Sequence, residues 1–176
     1  MLFRSLGIIS SKNERLASII LAVANLIQVF PSLALLTVLM LFFGLGFNTV
    51  VIGLVLYSLL PIIRNTYVGL KEVDSSITQA GKGVGMGTIQ LLFKVQLPLS
   101  LPFLLAGVRI AMIISIGVAT LAPIIGGDGL GKAIYSGINL RDPMQIYSGA
   151  MIAAIMAILA DYLLGKAQKK LDKTNA

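Results

Sequence analysis

Catalysis needs a nucleophile, a base or a metal, and the chain offers few of them. It has no Cys and no His, so a thiolate nucleophile, a disulfide framework, and the commonest general base and zinc ligand are missing from the sequence. A rhomboid-like serine protease lacks its base here. An intramembrane aspartyl protease needs G-x-G-D and a second Asp facing the first. Ile125 stands where the first glycine of Ile125-Gly126-Gly127-Asp128 is required, and Asp161 closes a different apolar run. Gly126 to Lys132 has the G-x-x-x-x-G-K spacing of a phosphate loop, but Ala133 follows where Ser or Thr would hold magnesium. Each G-x-G pair lacks the third glycine of a dinucleotide fingerprint. Paired-carboxylate chemistry finds no site either. No catalytic residue is assigned, and the chain is expected to be neither an enzyme nor a metal protein.

The elements that carry these residues are dictated by composition. Of 176 residues, 57% are hydrophobic and 12% charged, and the mean hydropathy is +0.94. Soluble domains carry about 45–50% apolar and about 25% charged residues. No charged residue occurs from Leu16 to Ile63, from Ile110 to Gly127, or from Pro143 to Ala160. A helix crosses the bilayer in about 20 residues. The first run is long enough for two spans and breaks at Gly44-Leu45-Gly46-Phe47-Asn48. The expected fold is therefore all-α and polytopic, with four spans at about 16–43, 47–64, 99–123 and 146–165. A short N-terminal segment, 1–15, precedes them, and a basic tail, 166–176, follows. Pro31 is expected to kink or break the first span. Leu2–Ile9 is interrupted by Arg4 and lacks a cleavage site, so no secretory signal is read there.

Charge fixes the orientation. With both termini cytoplasmic, only Lys132 and Arg141 lie outside and Arg109 lies in the membrane, while every other Lys and Arg is inside. This is a strong positive-inside bias. The net charge of +7 is thus topology, and no nucleic-acid partner is inferred.

The inner segment 65–98 is longer than the about 12–15 residues above which loops are often functional. Asp74 or Ser75 can cap a helix there. Gln79-Ala80-Gly81-Lys82-Gly83-Val84-Gly85-Met86-Gly87 has glycine at four alternate positions. A turn or a close backbone contact is expected there rather than a long helix, because glycine costs about 1 kcal/mol relative to alanine. Ile89, Leu92, Phe93 and Leu97 then form one apolar face of a short helix, and Pro98 and Pro102 end or redirect it. Such a helix lies on the membrane or docks on a partner, and periodicity does not choose between these.

Gln79-Ala80-Gly81, three residues, Gly85, nine residues, then Val95-Gln96-Leu97-Pro98 resembles the E-A-A-x3-G-x9-I-x-L-P pattern of permease subunits of ABC importers. Ala80, Gly85, Leu97 and Pro98 are identical to it, and Gln79, Gly81 and Val95 are substitutions. Gln28-Val29-Phe30-Pro31-Ser32-Leu33-Ala34-Leu35-Leu36, Tyr57 to Thr66, Ala106 to Arg109 and Ile125 to Gly131 are similar to stretches of the osmoprotectant permeases, which import glycine betaine, carnitine, choline and related quaternary amines. The resemblance covers roughly residues 15–165. Such permeases usually have one more helix before the stretch matching Leu16.

The resemblance implies a type I permease core lacking that usual first helix, in a bacterial or archaeal plasma membrane. It implies as partners an ABC ATPase subunit, a second permease copy or paralogue, an extracytoplasmic substrate-binding protein and membrane lipid. No cofactor is bound by this chain, since ATP-Mg belongs to the ATPase. Segment 75–98 would form the coupling helix through Gln79, Ala80, Gly81, Gly85, Val95, Leu97 and Pro98. Arg109 reads equally as a path or gate residue and as a snorkelling cation. Asn25, Gln28, Ser32 and Tyr57 line a path or make interhelical hydrogen bonds, and Tyr57 offers a cation–π face. Gly126, Gly127, Asp128 and Gly129 form an outer gate or a plain turn. A structural membrane subunit or channel component is the alternative function.

Overall fold

The computed structural model describes residues 14–175. They form a helical bundle with no strand among the described residues. Elements are α1 (Glu14–Val29), α2 (Ser32–Phe43), α3 (Phe47–Lys71), α4 (Ser75–Gly83), α5 (Thr88–Leu91), a π turn (Leu92–Gln96), α6 (Leu97–Leu99), α7 (Leu101–Ala119), a 3-10 turn (Ala122–Ile125), α8 (Gly131–Leu140) and α9 (Pro143–Asn175). Helices α3, α7 and most of α9 are long and apolar enough to cross a membrane, and α1 with α2 makes a fourth candidate.

The expected first span, 16–43, is not one rod. Its two halves meet at an angle of 98°. At about 1.5 Å per residue, α1 reaches about 24 Å and α2 about 18 Å, each short of the about 30 Å hydrocarbon core. Pro31, extended at φ −56° and ψ 134°, stands as the N-cap of α2. Having no N–H, it ends the α1 ladder. The bend would leave the Phe30 carbonyl bare in an apolar setting. The Tyr57 hydroxyl of α3 donates to it.

The helices pack side by side in the order α1, α3, α7, α9, with α2 against α3 and α8 against α9. One core cluster joins Leu36, Val50, Tyr57, Val118, Ala122 and Ile125, and a second joins Ala24, Leu60 and Ile63. Helices α3 and α7 pack tightly at Gly107. A β-carbon there would stand 2.7 Å from the Pro61 carbonyl oxygen, so any side chain would push the two spans apart.

The bundle has two dissimilar ends. One carries residues 72–100, termed here the coupling end. The other carries the turn at Gly44–Gly46 and the stretch from Ala122 to Asp142. These are tied together by the Gly46 N–H, which donates to the Ile125 carbonyl at 2.9 Å. Helix α3 continues two turns past the expected end at 64, and α9 runs well beyond 165.

Candidate coupling surface and membrane-embedded polar residues

Asp74 caps α4, accepting from the Ser76 N–H at 2.7 Å. That bond holds its carboxyl below the usual range. Helix α4 then runs through Gly81 and Gly83, so of the stretch 79–87 only the second half is a turn. Packing outweighs propensity at Gly81, where an added β-carbon would meet Leu91 Cδ1 at 2.6 Å. The turn is confined to Val84–Gly87. Its pivot is Gly85 at φ +84°, a left-handed conformation that favours glycine. Gly85 N–H donates to the Lys82 carbonyl and Met86 N–H to the Gly81 carbonyl, each at 3.0 Å.

The expected single apolar face of 89–97 is split. Leu91 and Leu92 are buried, whereas Ile89 and Phe93, one turn apart, are exposed at 70% and 57%, and Val84, at the turn, is exposed at 78%. Gly87, Thr88, Ile89, Gln90, Phe93 and Lys94 line an open groove at this tip. Gln79 and Ala80 are exposed, and Val95, Leu97 and Pro98 are half-buried. Pro98 and Pro102 flank a one-residue interruption at Ser100, between α6 and α7. Pro98 follows the π turn, and Pro102 sits in the first turn of α7, where a missing N–H costs nothing. Residues 88–119 thus form an almost unbroken helical run from the tip into the bundle.

Of the residues considered for a path, Tyr57 is buried at 6% exposure and spent on the Phe30 carbonyl, so its ring presents no free face. Asn25 is exposed on α1, and Gln28 and Ser32 are half-buried on either side of the bend. Arg109 has a partner that sequence reasoning missed. Asp161 of α9 accepts from Arg109 Nη2 at 2.7 Å and from its Nε in a fork, and both side chains are about one-third exposed, at 34% and 39%. The available signal was the rarity of intramembrane charges, which almost always pair with one another.

At the far end, Gly126 and Gly129 take positive φ, and Gly126 lies against Leu45. The Asp128 carboxylate accepts from the Gly129 N–H at 3.0 Å and faces Lys132 at 3.5 Å. Both lower its pKa, the backbone bond more.

A bent helix pair, three further helices long and apolar enough to cross a membrane, and an exposed apolar tip define a polytopic membrane protein. Residues 5–174 match the family described as binding-protein-dependent transport system inner membrane component, and the chain belongs to it. It is 46% identical over 168 residues to the carnitine transport permease protein OpuCD of Listeria monocytogenes, covering 95% of this chain and 75% of that one. It is 44% identical to the glycine betaine/carnitine/choline transport system permease protein OpuCD of Bacillus subtilis, covering 94% and 73%. It is 42% identical to the choline transport system permease protein OpuBB of the same species, covering 94% and 76%. The fold is also that of a chain in inward-facing structures of the MetNI methionine ABC transporter, with a TM-score of 0.80 at 20% identity, covering 90% of this chain and 77% of that one. The chain is thus a multi-pass component of a binding-protein-dependent transport system, and its relatives include permeases for carnitine, glycine betaine and choline.

Proposed function

We propose that this chain is the permease subunit of an ATP-driven importer of quaternary amines such as glycine betaine, carnitine and choline. The chain hydrolyses nothing itself. A partner ATPase, holding ATP-Mg, receives the tip formed by α4 and the stretch 88–98. The observation that carries the coupling role is the outward display of Ile89, Phe93 and Val84 around the Gly85 turn. Apolar side chains grouped at a bundle end mark a partner surface. The substrate class is supported by the identities to carnitine, glycine betaine and choline permeases.

The coupling end faces the cytoplasm, as do both termini. Lys71 stands over Tyr67 at 5.1 Å, and Lys166 over Tyr162 at 4.4 Å. Aromatic and basic side chains so paired suit the headgroup layer, and the basic bias supports an inner position for them. Apolar faces of α1, α2 and α9 are covered by lipid and by a second permease copy or paralogue. The far end, with Gly126, Gly127, Asp128 and Gly129, meets a substrate-binding protein.

The test is purification from the native membrane in mild detergent, with solute uptake measured in parallel. Recovery of an ATPase, together with uptake of labelled glycine betaine, carnitine or choline, is expected. Recovery of the chain alone, under conditions that keep other ABC complexes whole, sinks the reading.

A further inference from the structure

Four charged side chains lie at the far end, between Ala122 and Asp142: Asp128, Lys132, Arg141 and Asp142. Three are engaged. Asp128 accepts from the Gly129 N–H and faces Lys132. Asp142 caps α9, accepting from the Met144 N–H at 2.9 Å and the Gln145 N–H at 3.4 Å. The fourth is Arg141. It is exposed, and among the described residues its guanidinium has no hydrogen-bond or ion-pair partner.

The backbone at Arg141 is costly for an arginine. The residue closes α8 at φ 54° and ψ 38°, and among the described residues it is the sole non-glycine with positive φ. Its N–H donates to the Ile138 carbonyl at 3.3 Å, and the Asp142 N–H to the Gly137 carbonyl at 2.8 Å. Glycine suits such a helix end best, because a β-carbon is crowded in the left-handed region. A basic side chain outside the membrane also runs against the topological bias. Both costs fall on one position, and strain of this kind persists where function retains it. The surface beside Arg141 is uncovered. Helix α8 meets α9 where Gly137 lies against Ile146 and Gly149 against Ile134. Lys132, Tyr135 and Asn139 share another face of α8 by their spacing, and all three are exposed, as is Ile138.

We propose that Arg141 and the exposed face of α8 dock the substrate-binding protein, and that the docked surface of that protein presents a carboxylate to Arg141. This rests on the permease reading above and on its orientation. Transport in this family depends, by its description, on a binding protein, which approaches from the side that the far end faces. A guanidinium takes a carboxylate through a two-pronged contact. One unpaired cation beside charges that are already engaged favours an acidic partner and turns other surfaces away. Tyr135 and Arg141 are of the residue types that carry most of the energy at protein interfaces.

The test reconstitutes the whole importer in phosphatidylcholine vesicles and titrates its cognate binding protein from outside. Uptake is followed with labelled glycine betaine, carnitine or choline, whichever the unaltered importer carries. Arg141→Gly is expected to raise the half-saturating concentration of binding protein about tenfold, the scale of one charge-assisted hydrogen bond. The same variant should raise the thermal midpoint in detergent, since glycine relieves the left-handed strain. Arg141→Lys keeps the charge and should fall between the two. Tyr135→Ala should raise the half-saturating concentration by itself. Added salt should raise that concentration more steeply for the unaltered importer than for Arg141→Gly. If Arg141 only supports the fold, its replacement lowers the midpoint and leaves half-saturation where it was. If it holds a lipid phosphate, the variant differs only in its response to phosphatidylglycerol added to the vesicles. Either result overturns the inference. Failure of the unaltered importer to take up any of these solutes with binding protein present overturns the permease reading itself.

Discussion

Arg109 of α7 grips Asp161 of α9 through a two-pronged contact, Nη2 to Oδ2 at 2.7 Å with Nε to Oδ1 beside it. The guanidinium lies over Gly165, one turn further along α9, where a β-carbon would stand 3.1 Å from Nη1. The geometry gives Asp161 and Gly165 complementary parts: one supplies charge, the other the space for a flat cation. Because α7 continues the helical run from the coupling tip, the pair ties α9 to the element nearest that tip.

A cycle of substitutions separates this tie from a bare charge effect. Arg109→Gln and Asp161→Asn are each expected to lower membrane abundance and the thermal midpoint in detergent, since each leaves one charge without its partner in the bilayer. The double variant should recover part of the loss. Gly165→Leu should act like the single variants by displacing the guanidinium. Additive losses in the double variant would show that the two charges act independently.

Tyr57 gives a prediction of a different kind. Its hydroxyl meets the carbonyl that the Pro31 break leaves bare. Tyr57→Phe keeps the ring and its packing but leaves that carbonyl unsatisfied, at a cost of roughly 1–3 kcal/mol. Thermal stability should therefore drop while the relative rates for different amines stay unchanged. A shift in those relative rates would instead assign the ring to the solute path.

Much of the architecture was legible in the uncharged runs, because a bilayer permits few solutions for apolar stretches of that length. The cap at Asp74 was legible for a local reason: the carboxylate reaches an N–H two residues away. What escaped depended on tertiary partners. The helix through Gly81 is held by Leu91, which propensity does not see. The sharpness of the 98° bend depends on Tyr57, far along the chain, being placed to satisfy Phe30. Ile89 and Phe93 share a spacing with Leu92, yet Leu92 is buried and they are exposed, because what packs against the helix, not spacing, decides which side is covered. Arg109 was recognised as costly, but its partner lies 52 positions away.

The cap also carries a pH dependence of known sign. Hydrogen bonding lowers the folded pKa of Asp74, so its contribution is complete above the unfolded value of about 3.9 and is lost as pH falls through the lower folded value. Helix α4 should therefore hold steady across neutral pH and loosen only in strong acid. Asp74→Asn, which retains an accepting oxygen, should keep the helix and abolish that acid dependence. Asp74→Ala should loosen α4 at every pH, as read by faster amide exchange at Ser76–Gln79.

Gly83 and Gly85 allow docking to be tested apart from folding. Both point into open space, but only Gly85 has positive φ. Gly85→Ala strains the turn by about 1–2 kcal/mol, so a loss of uptake there is ambiguous. Gly83 sits at the end of α4 with no positive φ. Gly83→Ala is expected to stiffen that helix by about 0.5–1 kcal/mol and leave uptake intact. Gly83→Glu adds bulk and charge to the outer surface of the tip at little cost to the fold. It should reach the membrane in normal amounts, lose the co-purifying ATPase and stop uptake. Normal ATPase recovery with Gly83→Glu would place the docking surface elsewhere, on the Ile89 and Phe93 side of the tip alone.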